Sequence, residues 1–460
     1  MSSPIYLTDD IRRIEREAGD VQPPLMERAG AAAAELAARL ASQKQKDILV
    51  LAGPGNNGGD ARIAAARLQE QFYRVTIAQR PEELREANWA LVVDGLFGIG
   101  LARDIDGDYA RLVDYANRQR CPILALDIPS GLHSDTGRVM GRAVRATHTI
   151  TFIGLKPGLL TLEGPDHCGE ISVADLGLPP AKTSGWVASR ELFQSALKRR
   201  PRNFHKGMAG SLAVLGGANG MAGAALLAAR AALKLGAGRV YVGMLDHTLH
   251  VDPGAPELML RHADDALGLD LEAMVVGPGL GDSERAETLL GAALASELPC
   301  VLDADALNLI SENADMRHAC ARRRAETILT PHPAEAARLL ASNTAAVQND
   351  RVKAARMLAE NLNAHVVLKG SGSILVARDG HWFVNRTGNP GMASAGMGDV
   401  LAGMLGALLA QGYSGESALV LGTHLHGAAA DALSASGVGP VGMTASELTD
   451  AARRLWNEWL

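Results

Sequence analysis

The sequence predicts two consecutive α/β domains, the first a doubly wound parallel sheet. Three observations lead there. Strand-like apolar runs alternate with alanine-rich helical runs along the whole chain. Glycine clusters follow the strands, where tight loops are needed. A basic, proline-containing stretch, "LKRRPRNFHKG" (197–207), divides the pattern in two. The length of 460 residues exceeds one ordinary core and fits two or three domains.

The first half opens with "PPLMERAGAAAAELAARL", a helix with a proline suited to its first turn. "KDILVLAGPGNNGGDARIAAARLQEQ" reads as strand, glycine loop and helix. "YRVTIAQ" and "WALVVDGLFGIG" add strands, "DYARLVDYANRQ" a helix, and "PILALDIPSGLHSDTG" and "ATHTITFIG" two further strands. Such sheets bind ligands beyond the carboxyl ends of their strands. Those ends are "GPGNNGGD", "DGLFGIG" and "DIPSG". The second half starts afresh with "GSLAVLGGANGMAGAALLAARAALKLGAGRVYVGM", a strand, glycine loop, long helix and strand. "AMVVGPGLG", "PCVLDADALNLI", "ETILTPHPAEAARLL", "AHVVLKGSGSILVA" and "GHWFVNRTG" supply more strands and turns, and apolar helices follow at 398–411 and about 416–435. The expected domains are 1–197 and 198–460.

The bulk numbers narrow the function classes. A net charge of −6 argues against a dominant nucleic-acid role. No apolar run reaches the roughly 20 residues of a membrane span, and "MSSPIYLTDDIRRIEREAG" lacks the apolar core of a signal peptide. Cys121, Cys168, Cys300 and Cys320 form no CxxC pair, so buried free thiols are expected rather than structural zinc. These features predict a cytoplasmic enzyme with no membrane or nucleic-acid partner. The alanine-rich helices lead us to expect self-association into a homo-oligomer.

Chemistry concentrates in "GNPGMASAGMGDVLAGMLGALLAQG" (388–412). A helix N-terminus carries unpaired N–H groups and partial positive charge, and glycines before it admit an anion. "ASAGMGD" (393–399) therefore reads as a phosphate cradle. Asp399 follows in the first turn, placed to take a proton from a hydroxyl attacking a phosphoryl group; its alternative reading is helix capping. "LKGSGS" suits a nucleotide through N–H groups and the hydroxyls of Ser371 or Ser373, although a hairpin turn reads identically. His332 stands between two prolines at a strand end, with Glu335 in the following turn. Asp303, Asp305 and Asn308 are candidates to hold magnesium indirectly, and capping explains Asp305 equally well. In the first half, Asp94 and Asp127 end neighbouring strands. Two buried carboxylates need a cation or a proton between them, and an oxygen-rich set suits a monovalent cation. Lys156 either assists Asp127 or snorkels at the surface, and Tyr109 reads as packing. A kinase of a small heterocyclic alcohol would share the cradle and Asp399, and a non-catalytic nucleotide sensor would share the cradle alone.

Taken together, "GNPGMASAGMGDVLAGMLGALLAQG", "TPHPAE", "LKGSGS" and "HKGMAGSLAVLGGANGMAGAALLAARAALKLGAG" resemble the ADP/ATP-dependent NAD(P)H-hydrate dehydratases, which have a ribokinase-like fold. "GPGNNGGD", "VVDGLFGIGL", "ALDIPSGLHSDTG" and "FIGLKPGL" resemble the NAD(P)H-hydrate epimerases. The resemblance spans nearly the whole chain and implies a bifunctional NAD(P)H-hydrate repair enzyme acting on NADH hydrate and NADPH hydrate. It implies ADP as co-substrate with Mg2+, giving AMP and phosphate. Lys369, Gly370, Ser371, Gly372, Ser373 and Gly398 would hold the nucleotide. Ala225, Gly281, His332 and Asp399 would line the dehydratase hydrate site. In the epimerase half it implies K+ on Asn57, Asp94 and Ser130. Hydrate would lie against Asn56, Asn57, Gly58, Gly59 and Asp60, against Gly98, Ile99, Gly100, Leu101, Ala102, Arg103 and Asp104, and against Asp127 acting as base. A second glycine is expected in the family where Ala395 stands.

Overall fold

The computed structural model describes residues 3–41, 47–246 and 249–460. Lys46, the first residue of the predicted strand–loop–helix segment, lies outside them. Two compact units emerge, Ser3–Trp186 and Val187–Leu460.

In the first unit the parallel strands run in the order Val75–Ala78, Ile48–Ala52, Leu91–Gly95, Ile123–Leu126, His148–Phe152 and Glu170–Ala174. The Ile48–Ala52 run, "ILVLA", is buried throughout, as a strand covered on both faces must be. The chain leaves Ile48–Ala52 for one sheet edge and returns to its other side at Leu91–Gly95. This makes a topological switch point between the two strands, where a crevice forms beyond their carboxyl ends. The Leu25–Leu40 and Asn56–Glu70 helices pack closely over this crevice because small residues line their contact: a Cβ at Gly30 would lie 2.4 Å from Ile63 Cγ2. The Thr8–Ala18 helix lies outside the pattern read from the sequence. Only Thr8, Ile11 and Ile14 of its residues are buried, a stripe too thin to stand out in a charged segment.

In the second unit the sheet runs Trp382–Asn385, Ser373–Val376, His365–Leu368, Thr327–Leu329, Cys300–Leu302, Ala273–Val276, Ser211–Gly216, Arg239–Met244 and Met259–His262. The strands from His365–Leu368 to Met259–His262 are parallel, and the hairpin strands Ser373–Val376 and Trp382–Asn385 are antiparallel. The loops after Ser211–Gly216, Ala273–Val276, Cys300–Leu302, Thr327–Leu329 and His365–Leu368 therefore share one end of the sheet. The Met397–Ala410 helix crosses behind them, buried along nearly its whole length. It lies so close to the Ala222–Lys234 helix that a Cβ at Gly403 would sit 2.0 Å from the Ala228 carbonyl oxygen. None of the four cysteines is in a disulfide; Cys168, Cys300 and Cys320 are buried and Cys121 is partly exposed. Among the described residues no helix is long and apolar enough to cross a membrane.

Candidate active sites of the two units

The crevice of the first unit is a cavity of about 560 Å³ at the switch point. Its lining includes Asn56, Asn57 and Asp60 from the first turns of the Asn56–Glu70 helix, Gly98, Ile99, Gly100 and Leu101 from the loop after Leu91–Gly95, and Asp127. Gly58 and Gly59 belong to the same helical turn but serve its packing, against the Gly53 carbonyl and the Met26 side chain. Ala102, Arg103 and Asp104 are exposed outside the lining, and Asp104 lies 3.9 Å from Arg138. Tyr109 packs its ring edge-on to Phe97, 4.8 Å between centroids.

Asp127 adopts a left-handed backbone, φ +65°, uncommon for a non-glycine residue and concentrated at functional sites. Its Oδ1 accepts from Lys156 Nζ at 2.5 Å. The same ammonium donates to Thr151 Oγ1 and the Phe152 carbonyl, each at 2.8 Å, and Lys156 is fully buried. Surface snorkelling is thereby excluded: all three ammonium hydrogens are used inside the protein. Asp60 is 8% exposed and is not given such a partner. Burial, then the nearby charges of Asp127 and Glu15, push its carboxyl up to about 8. Glu15, from the Thr8–Ala18 helix, also lines the cavity and is raised by burial and by Asp127. The sequence reading misses it because nothing local connects that helix to the crevice.

Deeper in, Asp94 is fully buried and raised to about 6 by burial, against opposing hydrogen bonds from Ser130 and Leu96. Ser130 Oγ donates to Asp94 Oδ1 at 2.6 Å, and its backbone N–H donates to Oδ2 at 2.8 Å. Asn57 is the telling neighbour. Both its amide oxygen and its amide nitrogen are buried without a hydrogen-bond partner, a costly arrangement unless something else satisfies the oxygen. An orphaned amide oxygen, a buried carboxylate and a hydroxyl oxygen form a donor set that fits a hard monovalent cation.

In the second unit, Lys369 brings the separate motifs together. It leaves the turn between His365–Leu368 and Ser373–Val376, and its Nζ donates to Asp303 Oδ1 at 2.9 Å, with Glu335 Oε2 at 3.9 Å. A Cβ at Gly398 would lie 3.3 Å from Lys369 Nζ and 3.6 Å from Asp303 Oδ2. The phosphate-cradle turn, the glycine–serine loop and the "LDADALNL" strand end therefore meet at one place. Gly396, φ +86°, is the N-cap of the Met397–Ala410 helix, and Asp399 occupies its first turn without a side-chain capping bond. Burial and Asp303 push Asp399 up to about 6, while Lys369 opposes them. Burial also opposes the charge on Lys369, but Asp303 and Glu335 outweigh it and its pKa is raised.

His332 Nδ1 accepts from the N–H groups of Ala334 and Glu335, while Glu335 Oε2 accepts the His332 N–H, a reciprocal cap on the Pro333–Leu339 helix. Burial, then the Lys369 and Arg338 charges, lower the His332 pKa, in keeping with a neutral acceptor ring whose side chain remains half-exposed. Glu335 is raised to about 7 by burial, against the pull of Lys369. Asp305 Oδ2 accepts the Gly281 N–H at 2.8 Å and so fixes the "GPGLG" loop, while Ala225 is buried against Gly216 and Gly217. Asn308 Oδ1 accepts from the Arg338 guanidinium at 2.7 and 3.1 Å. Ser373 Oγ closes its own turn with the Gly370 carbonyl at 3.0 Å. Among the described residues no group of three His, Cys, Asp or Glu side chains is gathered to hold a metal.

Comparison with known proteins agrees with this geometry. Residues 212–454 match the family described as NAD(P)H-hydrate dehydratase, and residues 22–91 and 78–158 match the YjeF-related protein N-terminus. The chain is 39% identical to the bifunctional NAD(P)H-hydrate repair enzyme of Escherichia coli, over 98% of this chain and 94% of that protein. Against the Coxiella burnetii enzyme of the same description it is 38% identical, over 98% and 99%. The ADP/ATP-dependent NAD(P)H-hydrate dehydratase of Bacillus subtilis, co-crystallised with ATP and Mg2+, superposes with a TM-score of 0.52 at 28% identity, covering 60% of this chain and 98% of that one. The chain belongs to the family of bifunctional NAD(P)H-hydrate repair enzymes.

Proposed function

We propose that the chain restores hydrated nicotinamide cofactors in two steps, one in each unit. The first unit epimerises NADH or NADPH hydrate at C6. Asp127 takes the proton of the C6 hydroxyl, the carbinolamine opens, and C6 becomes a planar aldehyde carbon. Closure on the other face inverts the centre, with no redox step. Lys156 balances the charge of Asp127 and fixes its orientation. Asp60, protonated at neutral pH, is the donor for the ring nitrogen released on opening. Asn57, Asp94 and Ser130 would hold K+, which would supply a fixed positive charge there.

The second unit dehydrates one epimer. Asp399 takes the proton of the C6 hydroxyl as that oxygen attacks the terminal phosphoryl group of ADP. The N–H groups from Ala395 to Gly398 and the Lys369 ammonium stabilise charge on the transferring group. Hydroxide is a poor leaving group and phosphate a good one, so the ring nitrogen lone pair then expels phosphate. Loss of a C5 proton restores the ring, leaving AMP and phosphate. When bound, Mg2+ shares the phosphate charge. Lys369 to Ser373 hold the AMP part, and Ala225, Gly281 and His332 line the hydrate pocket.

The observation that carries the dehydratase reading is the approach of Lys369 Nζ to Gly398, which joins the nucleotide loop to the turn bearing Asp399. Product analysis tests it. Incubation of the hydrate with ADP and magnesium should restore the near-ultraviolet absorbance of the reduced cofactor and release AMP and phosphate in equal amounts. Accumulation of a stable phosphate ester would identify a kinase instead.

A further inference from the structure

We infer that Arg351 is the positioning residue of the nucleotide loop: its guanidinium, sealed directly behind Lys369 and Gly370, fixes the backbone on which the nucleoside diphosphate is held. Arg351 is 1% exposed and begins the Arg351–Leu362 helix. Its Nη2 donates to the carbonyls of Leu368 at 3.2 Å and Lys369 at 3.3 Å, and its Nη1 donates to Gln348 Oε1 at 3.3 Å. Its Nε is buried without a partner. Among the described residues no carboxylate pairs with it; burial pulls its pKa down, to about 10, so it stays protonated at neutral pH. Through two separate nitrogens the guanidinium ties the Leu368 and Lys369 carbonyls to Gln348, a span that the single nitrogen of a lysine does not have.

Gly370 is the counterpart of this arginine. Its φ is +145°, and a Cβ there would lie 2.3 Å from Arg351 Nη1. The guanidinium thus occupies the space a side chain at 370 would need. With the carbonyls of Leu368 and Lys369 tied inward, and the Lys369 N–H tied to the Pro331 carbonyl at 2.9 Å, the Lys369 side chain leaves the loop toward Asp303 and Gly398. Arg351 thereby acts on the nucleotide through the loop.

The inference rests on reading Lys369 to Ser373 as the nucleotide loop. Its test is steady-state dehydration by the full chain, with ADP and hydrate varied separately. Arg351→Met should raise KM for ADP by about tenfold or more and lower kcat with it, since Lys369 shifts with the loop, while KM for the hydrate stays within about threefold. Arg351→Lys should recover only part of the loss. Gly370→Ala, which keeps the arginine but collides with it, should reproduce the ADP defect and carries the test if Arg351→Met does not fold. In the Arg351→Met background, Gly370→Ala should cost less than in the parent, since the collision is gone and only the strain of a non-glycine residue at φ +145° remains. A parental KM for ADP in Gly370→Ala, or a fall in kcat with KM for ADP unchanged in Arg351→Met, would overturn the inference. The loop assignment itself fails separately, if Lys369→Ala leaves KM for ADP unaltered.

Discussion

Asp399→Asn separates a base held for chemistry from a residue kept for its helix. The Asp399 carboxyl is raised from 3.8 to about 6 by burial and Asp303. The folded state therefore binds a proton more tightly than the unfolded chain. Stability from this site is highest below about pH 4 and is lost as pH rises to about 6, so at neutral pH the ionised group is a liability. A shift of about two units at 1.36 kcal/mol each corresponds to roughly 3 kcal/mol. An acid in a first helical turn regains about 0.3–1 kcal/mol from the helix dipole. Neutralising it should therefore stabilise the second unit by about 2 kcal/mol at pH 7 while lowering kcat by about 10²–10⁴-fold. The assays are thermal unfolding without nucleotide, with the second-unit transition identified by its shift on adding ADP, and recovery of near-ultraviolet absorbance. In the parent, dehydratase kcat/KM should fall by about tenfold from pH 7 to pH 5 as Asp399 protonates. An Asn variant that is both less stable and still active would refute the reasoning and leave Asp399 a structural residue.

Other consequences concern the first unit. Lys156→Met leaves Asp127 without its buried partner and should destabilise that unit by about 3–5 kcal/mol in denaturant titrations, with loss of epimerase activity. Asp60 is protonated below about pH 8 and ionised above it, so epimerase kcat/KM should decline through that pH, and Asp60→Asn should be slower and lack the decline. Replacing K+ by a larger organic cation should slow epimerisation, and Asn57→Ala should abolish the dependence on K+; equal rates in both salts would remove the cation from the account.

Much of this was legible in the sequence because loops after parallel strands converge wherever the strands lie. "GPGNNGGD", "DGLFGIG" and "DIPSG" reach one cavity, and "LKGSGS" reaches the turn before Asp399, without any knowledge of strand order. What escaped was set by that order. Lys369 and Asp303 stand 66 residues apart, and only the sheet makes them an ion pair. Lys156 reads equally well as a surface or a buried lysine until its three acceptors are placed. Glu15 sits on a helix with too few buried residues to announce itself. Asn308 shares the turn of Asp305, yet Arg338 claims it from another helix. Arg351 resembles any charge at a helix start, because what it holds is backbone, which leaves no mark in the sequence.

The division of labour between the two carboxylates is tested most directly with a mixture of both hydrate epimers, ADP and magnesium, under conditions where spontaneous epimerisation is slow. The parent should convert the whole mixture, and Asp127→Asn should stop once the epimer accepted by the second unit is consumed. Complete conversion by Asp127→Asn at the parental rate would contradict the account.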